Sequence, residues 1–458
     1  MNDNPGNDES EFDESAFDES TFDESAFEGI NFDDALPDSS IDSTIDDGNP
    51  AASGNPFGGL FGMGAGGMGG AGGNPFAGIP MFSEIAKMMQ TQGPLNWDIA
   101  RQMAMSSATG GNAEVNVDPL VRIGFNDLAR IADMHVQNLT GLDTTVGGRN
   151  IEIATTTPGG WAQRTLDAYK PLMTELATSL GQRGPTGEDA EPGDPFAAML
   201  TGIGQMMGPS MLGMAVGGMV GQLGARAFGQ YDLPIPRPPS HELLVVPATI
   251  DAFAKAWSLA VDELRLWACL QEIATHAVLN VTHVRAELER LLRTHVAGFR
   301  PDASALMDKL EGLEFGDADP ATALQRTLGD PEVLLGAVQT PEQLAQLPRL
   351  DAIVATIIGY VDHVVDRAAG MLLGSHRQIG EAVRRRRVES SPEDIFVERL
   401  LGLRLSRQQV ERGRTFVDGV LERAGEDGLS RLFAVAGNLP TPAEIDAPGL
   451  WLARLDIG

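Results

Sequence analysis

The stretch Leu264-Arg-Leu-Trp-Ala-Cys-Leu-Gln271-Glu272-Ile-Ala-Thr275-His276-Ala-Val-Leu279 decides the fold of this chain. Its apolar residues recur at the roughly 3.6-residue spacing that places side chains on one face of a helix. They are Leu264, Trp267, Leu270, Ile273, Ala274, Ala277 and Val278. Gln271, Glu272 and Thr275 share an adjoining stripe. The stretch therefore predicts a helix that packs inward and carries three polar side chains beside its buried face.

The polar stripe has the spacing of a zinc-binding helix without its usual ligands. In the His-Glu-x-x-His pattern, residues four apart point the same way, so two imidazoles bind one zinc ion and the glutamate activates a bound water. Gln271 offers a neutral amide oxygen and Thr275 a hydroxyl, and both are weaker zinc ligands than a histidine nitrogen. Only Glu272, the would-be general base, occupies its place in the pattern.

Several separated segments carry a resemblance to one family. They are Gly93-Pro-Leu-Asn-Trp-Asp-Ile-Ala-Arg101, Phe228-Gly-Gln-Tyr-Asp-Leu-Pro-Ile-Pro236, Leu264-Arg-Leu-Trp267, His276-Ala-Val-Leu279, His283-Val-Arg285, Leu400-Leu-Gly-Leu403, Leu439-Pro-Thr-Pro-Ala-Glu444 and Trp451-Leu-Ala-Arg454. With them, the chain resembles the actinobacterial zincin-like metallopeptidase family, some members of which are associated with coenzyme F420 biosynthesis. The resemblance covers residues 81–458 and implies a mainly α, zincin-like fold with a small strand element.

The resemblance also implies where the zinc ligands would be. The two family histidines fall on Gln271 and Thr275, and the third ligand, a glutamate before a Gly-aromatic pair, falls on Ile358 in Ile358-Gly359-Tyr360. An aliphatic side chain cannot bind a metal, and a working zinc site needs about three protein ligands. We therefore expect no metal cofactor, a vestigial general base in Glu272, and the two helices that carry these positions facing each other.

Three functional hypotheses follow. The leading one is a catalytically silent binding or scaffold protein whose former active-site cleft holds an unknown peptide or protein segment. The second is an active zinc-dependent metallopeptidase that uses unorthodox ligands, with Glu272 as base. The third is a membrane-associated assembly factor acting through residues 196–225, a segment without charged residues. Its small and polar residues argue for packing inside the protein, with Gly213, Gly217 and Gly221 admitting a close neighbouring helix.

Nearby side chains offer less specific alternatives. His276, His283 and His363 could form a relocated metal site, but a shift of one residue turns a ligand by about 100° around the helix. A packed or solvated His276 is the ordinary interpretation. Glu272 is either a solvated helix carboxylate or a residue with a remaining role in a cleft. The single cysteine, Cys269, is expected to be a buried structural thiol, which agrees with a reducing compartment.

The N-terminal residues have a different composition from the rest of the chain. Residues 1–50 contain seventeen acidic side chains and no Lys or Arg, which leaves −14 of the formal charge of −31 on the other 408 residues. Phenylalanines recur there every five residues, at Phe12, Phe17, Phe22, Phe27 and Phe32. Residues 51–80 are rich in Gly. We expect a disordered tail over 1–80, serving either as a partner-binding segment or as a solubilising one.

Compartment and partner classes follow from the same composition. The N-terminus is acidic and lacks the apolar core of a signal peptide, so a cytoplasmic location is expected. The acidic balance argues against nucleic-acid binding. Arg384-Arg-Arg-Arg387 could contact an anion, but such runs on helices are usually solvated, and Glu381 and Glu389 flank this one.

Periodicity predicts the elements of the folded part. Helices are expected over 97–104, 118–133, 161–180, 264–279, 286–295, 302–313, 350–373, 392–403 and 408–424. His241-Glu-Leu-Leu-Val-Val-Pro247 is the good strand candidate, predicted as an edge strand before the motif helix. Residues 183–195 are acidic and rich in Gly and Pro, which indicates an internal linker within the 81–458 domain.

Overall fold

Helices make up most of the regular structure in the computed structural model of this protein, so the mainly α prediction is confirmed. The structure describes residues 93–181, 195–301, 337–338, 340–388 and 392–457. The predicted tail over 1–80 and the helix over 302–313 lie outside these ranges, as does the linker predicted over 183–195 except for its last residue, Pro195, which begins a helix. The described helices are α1 Trp97–Thr109, α2 Pro119–Thr140, α3 Pro158–Gly181, α4 Pro195–Arg226, α5 Pro247–Ala256, α6 Val261–Asn280, α7 Thr282–Ala297, α8 Pro341–Leu372, α9 His376–Val388, α10 Pro392–Leu401, α11 Arg407–Ser430 and α12 Pro448–Ile457.

Two short strand pairs accompany the helices. β1 (Glu152–Thr155) runs parallel to β2 (Glu242–Val245) with Glu152 opposite Glu242, and β3 (Arg300–Pro301) lies antiparallel to β4 (Ala337–Val338). β2 is the predicted strand, and it is an edge of the two-stranded sheet that it forms with β1. The other side of β2 pairs with the segment around Gly229, where the Gln230 amide donates to the Leu244 carbonyl at 2.9 Å. Such nonlocal pairing leaves no trace in local sequence.

The motif helix α6 lies at the centre of the fold. It contacts α2, α5, α7 and α8, and fourteen of its twenty residues are buried. The sequence predicts burial on one face only, whereas neighbours on several sides bury most of the helix. Asp262 and Glu263 in its first turn carry negative charge where the helix dipole favours it.

The glycine stripe of α4 packs directly on α1, as the sequence predicts. A Cβ added to Gly213 would lie 2.6 Å from the Asn96 carbonyl oxygen, and one added to Gly221 would lie 2.5 Å from that of Ala104. Gly217 meets the backbone of Ala100 in the same way. The two helices lie side by side along these three glycines, so any side chain there would push their backbones apart.

Helix α8 is longer than predicted and belongs to the core. It begins at Pro341 rather than near residue 350, because the Thr340 side chain and Gln343 form a capping box at its start. In the described part of the chain, one helix, α8, is long and apolar enough to cross a membrane by length and composition, and 72% of its apolar window is buried inside the protein. Residues 196–225, the segment of the membrane hypothesis, belong to α4, which does not meet this criterion.

Candidate functional site

A cavity of about 500 Å³ lies between α6 and α8. Further lining residues come from the segment Phe228–Pro234, from α3, α4, α10 and the end of α9, and from residues 403–406. The apolar part of the lining is formed by Trp161, Leu223, Phe228, Leu233, Pro234, Trp267, Ala268, Ile357, Ile358, Val361, Val383, Val397, Leu403 and Leu405. The predicted facing of the two helices is therefore confirmed, and the space between them has the size of a ligand pocket.

The cavity brings together the four residues singled out by the motif and the resemblance. Gln271, Glu272 and Thr275 reach it from α6, and Ile358 reaches it from α8. Gly359 and Tyr360 have structural roles instead. A Cβ on Gly359 would collide with the backbone of Gly413 in α11. Tyr360 stacks edge-on against Phe433 with ring centroids 4.9 Å apart.

Glu272 is held inside the protein by the segment that precedes β2. The residue is 2% exposed, and its Oε2 accepts a hydrogen bond from the Tyr231 amide at 2.9 Å. A Cβ on Gly229 would lie 2.5 Å from Glu272 Oε1, so the absence of a side chain at 229 makes room for the carboxyl group. The interpretation of Glu272 as a solvated carboxylate is therefore wrong.

Burial also sets the protonation of Glu272. Desolvation raises the pKa of this carboxyl well above its ordinary value, and the negative charge of Asp232 raises the pKa further. The Tyr231 amide and the positive charge of Arg237 act in the opposite direction but are smaller effects. The structure thus favours the neutral acid, which can donate a hydrogen bond as well as accept one.

The other two polar residues of the stripe differ in how far their hydrogen bonds are satisfied. The Thr275 hydroxyl donates to the Gln271 main-chain carbonyl at 2.8 Å, which is a local helix contact. Gln271 Oε1 is buried and has no protein partner among the described residues, and the same is true of the Trp267 indole nitrogen one helical turn earlier. Both residues line the cavity, and each keeps a buried polar atom without a protein partner among the described residues.

The candidate histidines of a relocated site lie elsewhere. His276 is buried, with Nε2 3.1 Å from the Thr144 carbonyl oxygen and Nδ1 3.2 Å from the Tyr231 hydroxyl. Because a carbonyl only accepts, Nε2 carries the proton and Nδ1 accepts from Tyr231. Burial lowers the pKa of His276. His363 is 3.2 Å from Glu426 in a separate, smaller pocket, and neither it nor His283 lines the cavity.

The arginine run is more involved than the sequence predicts. Arg384 and Arg385 form surface pairs with Asp366 and Glu381, but Arg386 and Arg387 line the cavity. These last two side chains are 19% and 17% exposed, so the prediction of a solvated run is wrong for them.

Each inward arginine has an aspartate partner from a distant segment. Arg386 Nη2 is 2.8 Å from Asp232, and its guanidinium lies 3.8 Å above the Phe228 ring centroid. Arg387 Nη1 is 2.8 Å from Asp362. Both aspartates are far from the arginines in sequence, so local sequence does not predict these ion pairs. Asp232 does lie in segment 228–236, which the family resemblance singles out.

The single cysteine, Cys269, is buried as expected, and burial raises the pKa of its thiol.

The side chains at the predicted zinc-ligand positions can be compared with the ligands that zinc prefers. The positions that resemblance assigns to zinc ligands hold an amide, a hydroxyl and a hydrocarbon, and this set does not fit an ion that prefers imidazole, thiolate or carboxylate ligands. Among the described residues, no group of three or more His, Cys, Asp or Glu side chains is placed to hold a metal ion.

The zincin-like metallopeptidase family matches residues 95–452, and the chain belongs to this family. A solved structure from Chloroflexus aurantiacus, described as "a putative hydrolase with a novel fold", is similar over 80% of this chain and 99% of its own length, with 23% identity and a TM-score of 0.53. At that identity the likeness concerns the fold. A comparison with curated proteins finds no match.

Proposed function

We propose that this protein binds a peptide or protein segment in the cavity between α6 and α8 and does not hydrolyse it. The family membership provides the scaffold of a peptide-binding cleft. Two properties of the side chains in the cavity wall support the proposal.

The first property carries the proposal: two residues that line the cavity keep buried polar atoms of the kinds that pair with a peptide group. Trp267 Nε1 is an unpaired buried donor, and Gln271 Oε1 is an unpaired buried acceptor. They belong to residues four apart on α6, so they lie on the same side of the helix. A peptide backbone offers a carbonyl and an N–H, and a buried polar atom without a partner costs about 1–3 kcal/mol, which a bound peptide would relieve.

The second property supports the absence of hydrolysis. A zinc peptidase needs a metal-bound water beside its glutamate base. Here the three assigned ligand positions hold weak donors or none, and Glu272 is directed at the Tyr231 amide and favoured as the neutral acid. A protonated carboxyl cannot take a proton from water, so the glutamate in this setting suits binding better than catalysis.

Restoring the ligands tests this proposal. We expect purified wild-type protein to contain far less than one zinc per chain by elemental analysis. The triple variant Gln271→His/Thr275→His/Ile358→Glu should take up close to one zinc, because all three positions border one cavity. A wild-type protein purified with stoichiometric zinc that cleaves peptides only when zinc is present would refute the proposal.

An active metallopeptidase remains the second candidate because Glu272 lies in the cavity of a peptidase family member. This candidate predicts proteolysis that chelators inhibit and that Glu272→Gln abolishes. The membrane-associated hypothesis for residues 196–225 has less support, since the glycine stripe of α4 is already covered by α1. The cytoplasmic location and the actinobacterial subtype associated with coenzyme F420 stay predictions.

A further inference from the structure

Helix α2 is apolar on two opposite sides. Its inner side packs Phe125, Ala129, Ala132 and Val136 into the core. Its outer side exposes Leu120, Ile123, Ile131 and Met134, and these residues are 74%, 58%, 40% and 53% exposed. We name these four residues the outer stripe. A surface helix of a globular protein normally presents polar residues on that side, so an apolar outer stripe indicates a partner.

The outer stripe is symmetric in sequence about Asp127. Ile123 and Ile131 lie four residues on either side of it, and Leu120 and Met134 lie seven residues on either side. In an interface with a two-fold axis, residue i contacts residue j of the partner and j contacts i. If two copies of α2 pack antiparallel with the axis at Asp127, each isoleucine meets an isoleucine and each leucine meets a methionine. The stripe is therefore complementary to itself.

The charged residues of this face agree with the same arrangement. Arg130 lies three residues after Asp127, and its Nη1 is 2.9 Å from the Asp127 carboxylate. Gly124 lies three residues before Asp127, and a Cβ built on it would meet nothing within 4 Å. The symmetric packing places Arg130 of one copy over Gly124 of the other, where there is space for a guanidinium. The two Asp127 and two Arg130 then form a neutral cluster at the axis.

We propose that the protein forms an antiparallel, two-fold symmetric dimer through the outer stripe of α2. This proposal is independent of the proposed function, because α2 does not line the cavity. One helix face is smaller than the roughly 800 Å² per partner of a standard interface, so the dimer is expected to be weak.

Sedimentation of the full-length protein over a range of concentrations tests the interface. The expected result is a monomer–dimer equilibrium that Ile123→Glu weakens at least about tenfold, because the substitution buries a charge twice in each dimer. Leu450→Glu, at a residue 60% exposed on α12, is the matched control and should leave the equilibrium unchanged. A protein that stays monomeric, or a dimer insensitive to Ile123→Glu, would overturn the proposal. So would a monomer that binds phosphatidylglycerol vesicles through the same residues.

Disulfide formation tests the direction of the packing. The native Cys269 is buried, so an introduced thiol on α2 is the reactive one. Asp127→Cys places two thiols at the axis and should give a covalent dimer on mild oxidation. Met134→Cys should not, because two residues 134 would be about 21 Å apart along the antiparallel helices and a disulfide needs Cα atoms within about 7 Å. Efficient cross-linking of Met134→Cys alone would indicate a parallel pair and contradict the proposal.

Discussion

Helices α1 and α4 approach so closely that a Cβ on Gly221 would lie 2.5 Å from the Ala104 carbonyl oxygen, whereas α6 and α8 leave a cavity of about 500 Å³ between them. Both regions belong to the same well-packed fold. The close pair shows that this fold can bring two helix backbones into contact where small residues allow it. The gap between α6 and α8 is lined by Trp267 and Gln271, each of which keeps a buried polar atom without a partner among the described residues.

The largest expected effect is on the close pair. Gly217→Val should destabilise the protein by more than about 3 kcal/mol, because the atoms that its side chain would meet are backbone atoms of Ala100 and cannot move aside. Thermal unfolding measures the effect. Gly218→Ala, at the neighbouring position where a Cβ meets nothing within 4 Å, should instead be neutral or stabilise by up to about 1 kcal/mol. Equal losses in both variants would show that close approach is not the cause.

A substitution at the close contact in the cavity wall should have a smaller effect on stability. Gly229→Ala should cost about 1–3 kcal/mol, because its Cβ would displace the Glu272 carboxyl, a side-chain group that can give way at a price in burial and hydrogen bonding. Denaturant unfolding of Gly229→Ala, Glu272→Ala and the double variant measures the coupling. The loss on changing Gly229 should be clearly smaller when residue 272 is Ala. Additive losses would contradict the contact.

Much of the close pair could be predicted from sequence, and only part of the cavity could. Three glycines four apart predict a helix contact by themselves, since spacing alone puts them on one side. The helix with Gln271, Glu272 and Thr275 is predicted in the same way. The neutral state of Glu272 depends on burial by the segment around Tyr231 and on the negative charge of Asp232, and the pairing of Arg387 depends on Asp362. Those partners come from distant segments, so no local pattern indicates them.

A third prediction concerns the pH dependence of stability. The folded pKa of Glu272 is raised above its unfolded value, so the folded state holds a proton that the unfolded state releases as the pH rises above about 4.3. Stability attributable to this group is present below the unfolded pKa and falls as the pH rises toward the folded pKa. Glutamine does not titrate, so Glu272→Gln should abolish this fall in stability with rising pH. The substitution should raise the melting temperature at pH 8 by at least about 2 °C, with little change at pH 4.

A rise of the same size at both pH values would point to a cause other than protonation. Glu444→Gln is a useful control, since Glu444 has a lowered pKa and pairs with Arg454 at 2.6 Å. That substitution should lower the melting temperature at pH 8, the opposite direction.

The smallest expected effect on stability comes from a substitution that should change stability and peptide binding in opposite directions. Gln271→Met removes the unpaired acceptor with little change in volume and should stabilise the protein by about 1 kcal/mol. The same substitution should weaken peptide binding about tenfold, because a ligand N–H loses its partner. Calorimetric unfolding and a peptide-binding titration measure the two effects. Loss of stability together with unchanged binding would show that Gln271 has an internal partner instead.

The most direct test of the central claim follows the fate of peptides bound by the wild-type protein. Full-length protein is incubated with a random peptide library, with and without added zinc, and mass spectrometry records which peptides are retained and whether new termini form. We predict that peptides are retained intact in both samples and that Gln271→Met reduces retention. New peptide termini that form only with zinc and disappear in Glu272→Gln would contradict the claim.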